Sequence, residues 1–326
     1  MKRKTTCRRF GIVPNTAYRK KVHKFIKGKL SEHNLWTHFP KDPNCPICAR
    51  CKKNRAQCRQ KVHAAPDDLP VPKKFADAIT CDHKILNHED ASRDSDRLAL
   101  VVQDRFTQWL QGYPCKSKTA DECELYLKEF VGQQLESQHV YSDNAAELVK
   151  ALETLKWRHD TSTPHRSETN GVAERAVRKV KEGTSCTLVQ SGFDESWWGY
   201  AMRCYCFLKN VIDQTSEETA YKRRFGVDFA GPLIPFGAHA EYLPKSQTDE
   251  ARVHEFGSKM LQGIFVGYHQ GSGGSWSKDV LVADWDNIEN AEHVSEIHVK
   301  RVHHKEIELN TQRHRITKRT LTERIH

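Results

Sequence analysis

Three acidic residues occupy positions where carboxylates could hold a metal ion. Asp82 falls in a predicted strand, Asp143 at the end of another, and Glu174 in the first turn of a predicted helix. Three carboxylates without a nearby thiol or imidazole cluster form an oxygen-rich site that suits Mg²⁺ or Mn²⁺. Two such ions about 3.5–4 Å apart can activate the attacking oxygen and stabilise the leaving oxygen of a phosphodiester. The spacing leaves open that each acid is an ordinary turn or cap residue.

A second group combines imidazole with thiol. Four residues separate His33 from His38, and six more lie before Cys45 and Cys48, which form a C-x-x-C pair. Two histidines and two cysteines are the ligands of a tetrahedral structural zinc site, and six residues are enough to bring both pairs around one ion. Cys51 and Cys58 are spare thiols that could replace a histidine. The other interpretation is a basic loop with reduced cysteines.

Glu174 belongs to the stretch Thr163–Gly183, in which a polar, turn-prone run meets a helical pattern after Gly171. Four apolar residues at helical spacing form one stripe: Ala173, Ala176, Val177 and Val180. Glu174, Arg178 and Lys181 recur at i, i+4 and i+7 on a different face. The pattern predicts a helix with an acid in its first turn and two cations above it, beneath a loop. A plain surface helix would show the same pattern.

The elements that position these residues alternate between strands and helices. The predicted strands are Phe75–Leu86, Leu98–Thr107, Trp109–Lys116, Ser137–Ser142 and Arg158–Thr163. The predicted helices are Asp121–Leu135, Ala145–Leu155, the helix after Gly171, and Glu195–Val211. Their order implies an α/β domain, with a mixed sheet and helices on its faces. Past about residue 230, short β-like runs with Gly-rich breaks predict a small all-β barrel or sandwich.

Charge divides the chain into three parts. Residues 1–63 carry a net charge of +16 and residues 300–326 a net charge of +5, whereas the whole chain carries +10 and its centre is therefore acidic. Basic ends around an acidic centre favour polyanion binding at the ends and a carboxylate-rich site between them. A pair of solvated tails is the other interpretation.

The composition is that of a globular protein, with 37% hydrophobic and 29% charged residues. The sequence contains no apolar run long enough for a membrane span and no apolar signal core near its start, so we expect neither membrane insertion nor secretion. Eleven cysteines without a secretory signal favour a reducing compartment and metal binding over disulfides.

Taken together, these motifs resemble the integrase of long-terminal-repeat retrotransposons, closest to the Ty1/copia type. The resemblance follows the chain in order: the His/Cys cluster, Asp82 in ITCDH, Asp143 in YSDNAAEL, and Glu174 in TPHRSETNGVAER. PFG at 235–237 and GIFVGY at 263–268 resemble the small SH3-like barrel that follows the core in copia polyproteins. The resemblance covers roughly residues 30–305 and is most specific in the Asp143 and Glu174 motifs.

The resemblance implies a fold and a reaction. Asp82, Asp143 and Glu174 would be the metal ligands of a ribonuclease-H-like mixed sheet with helices on both faces. A zinc module with His33, His38, Cys45 and Cys48 would precede this core, and an SH3-like barrel would follow it. The family cuts donor DNA ends with water and joins the 3′-hydroxyl to a target phosphodiester, using two Mg²⁺ or Mn²⁺ ions. One Zn²⁺ would occupy the zinc module.

The resemblance also implies partners and a place of action. We expect element ends and target DNA as partners and a homo-oligomer, with no membrane and no small-molecule substrate. The protein would act in the nucleus, at the site of integration, after a cytoplasmic particle stage. The absence of protease and reverse-transcriptase patterns suggests a piece of a polyprotein or an element remnant.

Several residues near Glu174 then become candidate DNA contacts. Arg178 and Lys181 would hold phosphates beside the metals. Arg175 and Lys179 would do likewise or face solvent, and three residues of the loop would order on substrate: His165, Arg166 and Asn170. In the following helix we expect core or subunit-interface positions, and not base-stacking platforms, for four aromatic residues: Trp197, Trp198, Tyr205 and Phe207. Cys204 and Cys206 are expected to be buried small hydrophobic residues.

Two departures from the family pattern leave alternatives open. Thirty residues separate Asp143 from Glu174, fewer than the family usually has, so Glu168 and Glu182 are fallback ligands. The interval between the histidine pair and C-x-x-C is also short, which implies a compact zinc knuckle. The chain could therefore be a decayed copy that only binds nucleic acid, or a nuclease of the same fold that hydrolyses without joining.

The predicted domain order follows from these assignments. It comprises a basic arm (1–30), a zinc module (31–62), a linker (63–74), the catalytic core (75–215), a second linker (216–231), the β-barrel (232–305) and a basic tail (306–326).

Overall fold

A computed structural model describes residues 33–53, 71–161, 171–215 and 217–309 of the 326-residue chain. Several predicted features lie outside these ranges. They are the basic arm, Cys58, the loop residues His165, Arg166 and Asn170, the fallback ligand Glu168, and the basic tail beyond residue 309.

The first domain is built on a mixed five-stranded sheet. Its strands are β1 (Ile79–Ile85), β2 (Leu98–Asp104), β3 (Leu110–Cys115), β4 (Val140–Ser142) and β5 (His159–Thr161), and they lie in the order β3-β2-β1-β4-β5. The first three strands run antiparallel to one another, whereas β4 is parallel to β1 and β5 is parallel to β4. The mixed sheet expected for a ribonuclease-H-like core is confirmed.

Six helices accompany this sheet and its flanking segments: α1 (Pro46–Cys51), α2 (Ala120–Val131), α3 (Ala146–Leu155), α4 (Gly171–Ser191), α5 (Trp198–Ile212) and α6 (Ala220–Phe225). Alternate residues of β2 point to opposite sides, as the strand period requires. Leu98, Leu100 and Val102 pack with α2 and α3. Ala99 and Val101 pack with α4 and α5. Helices therefore cover both faces of the sheet, as expected.

The boundaries of two helices differ from the predicted ones. Helix α2 ends at Val131 and not at Leu135, because Gly132 follows with φ 101°, in the left-handed region that glycine favours. The helix predicted from Glu195 begins as a single 3₁₀ turn, Glu195–Trp197, in which the Asp194 side chain accepts from the Ser196 amide, and α5 starts at Trp198. Local capping decides where α2 ends and where α5 begins, and the apolar pattern alone does not show this capping.

The C-terminal part is an antiparallel five-stranded sheet in the order β11-β10-β9-β8-β12. Its strands are β8 (His239–Tyr242), β9 (Leu261–Gln270), β10 (Trp276–Asp284), β11 (Val299–His303) and β12 (Ile307–Leu309), with helices α7 (Gln247–Glu250) and α8 (Trp285–Asn290) between them. The short ribbon of β6 (Gln214–Thr215) and β7 (Glu218–Thr219) precedes it. Further 3₁₀ turns cover His88–Asp90, Ser272–Gly274, Val294–Glu296 and His304–Glu306. The expected separate all-β unit is confirmed as a sheet.

Helix α5 joins the two parts of the molecule. Phe207 stacks against Tyr268 of β9 with ring centroids 4.4 Å apart, and one hydrophobic cluster extends from β2 through α5 into the C-terminal sheet. The four aromatic residues expected in the core or an interface, and the two cysteines expected to be buried, are all buried. Within the span expected to be a linker, α6 forms and Tyr221 packs against both clusters. The C-terminal sheet thus shares its core with the α/β domain.

None of the helices in the described ranges is long and apolar enough to cross a membrane.

Candidate metal centres and active-site cleft

The two histidines and two cysteines predicted to bind zinc come together around α1. Their ligand atoms all lie within 4.8 Å of one another. His38 Nδ1 is 3.6 Å from Cys45 Sγ and 3.8 Å from Cys48 Sγ, and His33 Nε2 is 4.0 Å from Cys48 Sγ. In a tetrahedral zinc site, bonds of about 2.0 Å to nitrogen and 2.3 Å to sulfur place these atoms about 3.6 Å apart. Residues 33–53, named the zinc segment below, therefore have the geometry of a closed structural site.

The remaining ring nitrogen of each histidine faces an oxygen acceptor. His38 Nε2 lies 2.9 Å from Gln190 Oε1, and His33 Nδ1 lies 2.6 Å from the Pro40 carbonyl. A proton on each of these nitrogens leaves the other nitrogen with a free lone pair for a metal. Such outer partners fix the tautomer and the ring orientation of zinc-binding histidines.

Burial sets the protonation of this group. It lowers the pKa of His38 to about 4, so the imidazole is neutral at physiological pH, as a metal ligand must be. It also raises the pKa of the Cys48 thiol. Zinc would displace the thiol proton and place a cation beside the thiolate, so metal binding here would release protons. The donor set fits zinc.

Cys51, the described candidate for a substitute ligand, is oriented elsewhere. It is not a member of the convergent group, and its thiol interacts with that of Cys186 on α4. The set that contains both histidines is therefore a better ligand set than one in which Cys51 replaces a histidine. Its members are His33, His38, Cys45 and Cys48.

The sheet topology places two of the candidate carboxylates side by side. Strands β1 and β4 are parallel with Thr80 opposite Tyr141, so continuing the register two residues sets Asp82 beside Asp143. Asp82 is half-buried within β1, and its Oδ1 accepts from the His83 amide at 2.7 Å. Glu174 is exposed in the first turn of α4.

The electrostatics of Asp82 link all three acids. Burial is the largest cause that raises its pKa, to about 6, followed by the negative charge of Asp143 and, more weakly, that of Glu174. A carboxylate whose ionised form is disfavoured by burial and by two like charges is stabilised when a cation arrives. Asp143 adds a second indication, since its Oδ1 is buried and has no hydrogen-bond partner in the described part of the chain.

The carboxylates are close but not convergent. Among the described residues, the His/Cys group is the only set of three or more metal-ligating side chains whose ligand atoms lie within 4.8 Å of one another. The three acids therefore stand farther apart than the zinc ligands do.

His83 and Cys81, which flank Asp82 in the chain, contact groups other than the three candidate carboxylates. The ring nitrogens of His83 face Glu147 Oε1 at 3.6 Å and Cys123 Sγ at 3.6 Å. The Cys81 thiol is fully buried, and burial raises its pKa well above the usual range, so it stays protonated. The donors left at this edge are carboxylate oxygens, which fit Mg²⁺ or Mn²⁺.

One face of α4 forms a wall of a cleft of about 480 Å³. Six residues at helical spacing line it: Glu174, Val177, Arg178, Lys181, Glu182 and Ser185. Asp82 and Lys84 of β1 also line the cleft. The opposite side of α4 is buried, and Gly183 allows it to approach α5, since a Cβ there would lie 2.0 Å from the Tyr205 ring.

The predicted DNA contacts divide between two sides of α4. Arg178 and Lys181 line the cleft with Glu174 and Asp82, whereas Arg175 is exposed outside the lining. The fallback ligand Glu182 also lines the cleft, two turns from Glu174. Both glutamates therefore reach the same space.

Sequence reasoning missed three cations near the carboxylates. Lys84 follows Asp82 by two residues, so the strand period alone could have placed it on the same face. Lys118 forms an ion pair with Glu147 at 2.6 Å, and its charge opposes the rise in the pKa of Asp82. Lys53 lines the cleft from the zinc segment, and only the tertiary structure shows it.

Two polyproteins of Arabidopsis thaliana are similar to this chain. The retrovirus-related Pol polyprotein from transposon RE1 is 27% identical over 188 residues, which is 54% of this chain and 12% of the polyprotein. The corresponding polyprotein from transposon RE2 is 30% identical over 127 residues, which is 37% of this chain and 9% of the polyprotein. The chain thus matches about a tenth of the length of these curated relatives. The resemblance to retrotransposon proteins is confirmed.

Two solved structures are similar to part of this chain. An intasome of simian T-cell lymphotropic virus matches with a TM-score of 0.36 and 13% identity over 74% of this chain and 84% of that one. The catalytic core domain of BIV integrase matches with a TM-score of 0.34 and 18% identity over 45% of this chain and 92% of that one. No protein-family model matches the chain.

Proposed function

We propose that this chain is the integrase region of a retrotransposon polyprotein, a metal-dependent polynucleotidyl transferase that processes DNA 3′ ends and joins them to target DNA. The observation that carries the proposal is the cleft that Asp82 and Glu174 both line, with Asp143 beside Asp82 and cationic side chains around them. Carboxylates for divalent ions beside cations for phosphates form an arrangement suited to phosphodiester chemistry.

The residues of the cleft would hold the metal ions and orient the DNA backbone. Asp82, Asp143 and Glu174 would hold two Mg²⁺ or Mn²⁺ ions, which when bound activate the attacking oxygen and stabilise the leaving oxygen. Arg178 and Lys181 would bind phosphate oxygens on either side of the reacting phosphorus. Helix α4 carries Glu174 and both cations, so it would fix the distance between the ions and the DNA backbone.

Two displacements at phosphorus make up the reaction. In the first, water attacks a phosphodiester near the donor end and the 3′ oxygen leaves as a hydroxyl. In the second, that hydroxyl attacks a target phosphodiester, a new bond forms between donor oxygen and target phosphorus, and the target's 3′ oxygen leaves with a proton. Neither displacement needs an oxidant or a nucleotide cofactor.

The remaining expectations become part of the proposal. We take element ends and target DNA as partners, a homo-oligomer as the working assembly, and one Zn²⁺ in the zinc segment. The domain order given above and action in the nucleus belong to it as well.

Strand-transfer activity tests the proposal directly. Purified chain with Mg²⁺ or Mn²⁺ should join a labelled donor end to plasmid DNA, and Asp82→Asn, Asp143→Asn and Glu174→Gln should each abolish joining. Asp121→Asn, on the exposed side of α2, is the control and should join as the wild type does. Hydrolysed but unjoined ends in the wild type would instead identify a nuclease.

A second function is favoured by the distance between the carboxylates. Because they do not converge as closely as the zinc ligands do, a catalytically silent copy that binds DNA through its cations is the competing proposal. Salt-dependent DNA binding without joining in either metal would support it. Retained joining by the Glu174→Gln variant would move the third ligand to another residue, for which Glu182 is the described candidate.

A further inference from the structure

The zinc segment is packed against the catalytic helix of its own chain. We infer that this segment forms a fixed wall of the active-site cleft and that Lys53 on it contacts the phosphate backbone of bound DNA, so that zinc and DNA bind cooperatively. The inference rests on the proposed DNA substrate, and it assigns a role to a residue outside the carboxylates and outside α4.

Polar contacts hold the zinc segment on α4 and α5. Gln190 of α4 bonds to the ring of His38, a zinc ligand candidate, at 2.9 Å. The fully buried Thr37 hydroxyl donates to Asp213 Oδ1 at 2.7 Å, at the end of α5. Asp213 is also paired with Lys209 at 2.6 Å, so its charge is balanced where it is buried. Buried bonds with complete partners indicate a specific docked arrangement.

The docked segment contributes directly to the cleft. Cys51 and Lys53 line it together with Asp82 and Glu174. Four cations from three separate elements therefore surround the acids: Lys53, Lys84, Arg178 and Lys181. Lys53 is exposed and forms no ion pair with any residue in the described ranges, so its charge is available to an anion. A phosphate backbone that reaches Asp82 and Glu174 would pass this ammonium group.

The position of Lys53 depends on zinc. Helix α1 has only six residues, too few to be stable alone in water. Three of the six buried residues of the segment are zinc ligand candidates: His38, Cys45 and Cys48. In such small sites the binding energy of the metal is the folding energy of the segment. If zinc holds Lys53 in the cleft, reciprocity requires bound DNA to strengthen zinc binding by the same factor.

The first test measures DNA binding without catalysis. Fluorescence anisotropy with a labelled 30-base-pair duplex, in buffer without Mg²⁺ or Mn²⁺, gives the affinity as a function of salt. Loss of one phosphate contact in Lys53→Gln should reduce the salt slope by about 0.9 and weaken binding several-fold at low salt. Arg50→Gln is the matched control, because Arg50 is exposed near the end of α1, three residues before Lys53, but lies outside the cleft lining. It should leave the slope near that of the wild type.

The second test removes zinc. Chelator-stripped, dialysed wild type should bind the duplex more weakly than the zinc-loaded protein, and Lys53→Gln should then have no further effect. Gln190→Leu removes the acceptor for His38 and should weaken zinc binding by about 10–100-fold, whereas Gln190→Glu keeps an acceptor and should restore it. Val189→Ala, an exposed neighbour on α4, is the control for this pair. Zinc release to a chromogenic chelator, with and without duplex, reports the coupling.

The outcomes separate this inference from the proposed catalysis. An unchanged salt slope in Lys53→Gln overturns it, and so does a stripped protein that binds DNA as tightly as the loaded one. If Lys53→Gln reduces the salt slope and zinc removal weakens DNA binding, but no strands are joined, this inference holds and the proposed catalysis fails. If strands are joined while neither effect appears, only the inference fails. A chain that binds no DNA at low salt overturns both.

Discussion

The two candidate metal centres differ in how complete they are before a metal arrives. The His/Cys ligands converge within 4.8 Å, and burial keeps His38 neutral. The carboxylates stand farther apart, burial and like charges raise the pKa of Asp82 to about 6, and Asp143 Oδ1 is buried without a partner in the described ranges. Neutral ligands can lie close together without mutual repulsion, whereas three acids repel one another until cations join them. The first group is therefore the candidate structural centre, and the second is the candidate open centre for substrate and ions.

The largest expected effect concerns the closed centre. Cys48→Ser should lower zinc content from about one per chain to near zero and unfold the zinc segment, because apparent zinc binding in such sites is worth about 10–16 kcal/mol. Metal analysis and hydrogen exchange of residues 33–53 would measure this. Cys51→Ser is the control and should retain zinc, since Cys51 lies outside the convergent group. Loss of zinc in the control would make Cys51 a ligand.

Loss of one carboxylate from the open centre is expected to weaken metal binding less than loss of one thiol weakens zinc binding. Glu174→Gln should weaken Mn²⁺ binding by about tenfold or more, because an anionic ligand becomes neutral. Glu182→Gln, on the same helix face, should change it little. Calorimetric titration of Mn²⁺ into both variants makes the comparison. The reverse ranking would assign the third ligand to Glu182.

Asp82 is expected to destabilise the metal-free protein when it is ionised. Its pKa is raised to about 6 in the folded state, so the folded state binds the Asp82 proton more tightly than the unfolded state does. The stability that this proton contributes is lost as pH rises through about 6. Asp82→Asn should therefore raise the free energy of unfolding by about 1–3 kcal/mol at pH 8, and less at pH 4. Denaturant unfolding at both pH values, without divalent ions, measures it. Equal effects at both pH values would mean that the gain is not electrostatic.

The smallest expected effect is the competition between protons and metal. Below about pH 6 the carboxyl of Asp82 is protonated and must lose its proton before it can bind an ion. Mn²⁺ affinity should accordingly fall by about tenfold per pH unit below that value and level off above it. Titrations between pH 5 and pH 8 would show the break, and Asp82→Asn should remove it. An affinity that is flat across this range would separate Asp82 from the metal.

The fold of the α/β domain was largely readable from the sequence, because its strands and helices repeat at clear periods. The apolar stripe of α4 is an example, since it follows from the geometry of the helix itself. The end of α2 at Val131 and the 3₁₀ turn before α5 were not readable, because Gly132 and the Asp194 cap act over single residues. Helix α6 within the expected linker was missed because six residues give too short a pattern.

The candidate sites show the same division. Spacing in the chain grouped His33, His38, Cys45 and Cys48, and the structure brings them together. Lys118 and Lys53 were missed because each enters the carboxylate site from another element. The loop residues His165, Arg166 and Asn170 lie outside the described residues and stay predictions.

The sequence by itself determined which residue types could bind metal, on which elements they lie, and that two kinds of candidate metal site occur in one chain. Side-chain chemistry and helix or strand periods are local properties, so one chain is enough to read them. Only the tertiary structure decided that Asp82 and Glu174 share a cleft, that α5 joins the C-terminal sheet to the core, and that the zinc segment lies against α4. Those arrangements depend on packing between residues far apart in the sequence, such as Thr37 and Asp213, and no local pattern encodes it.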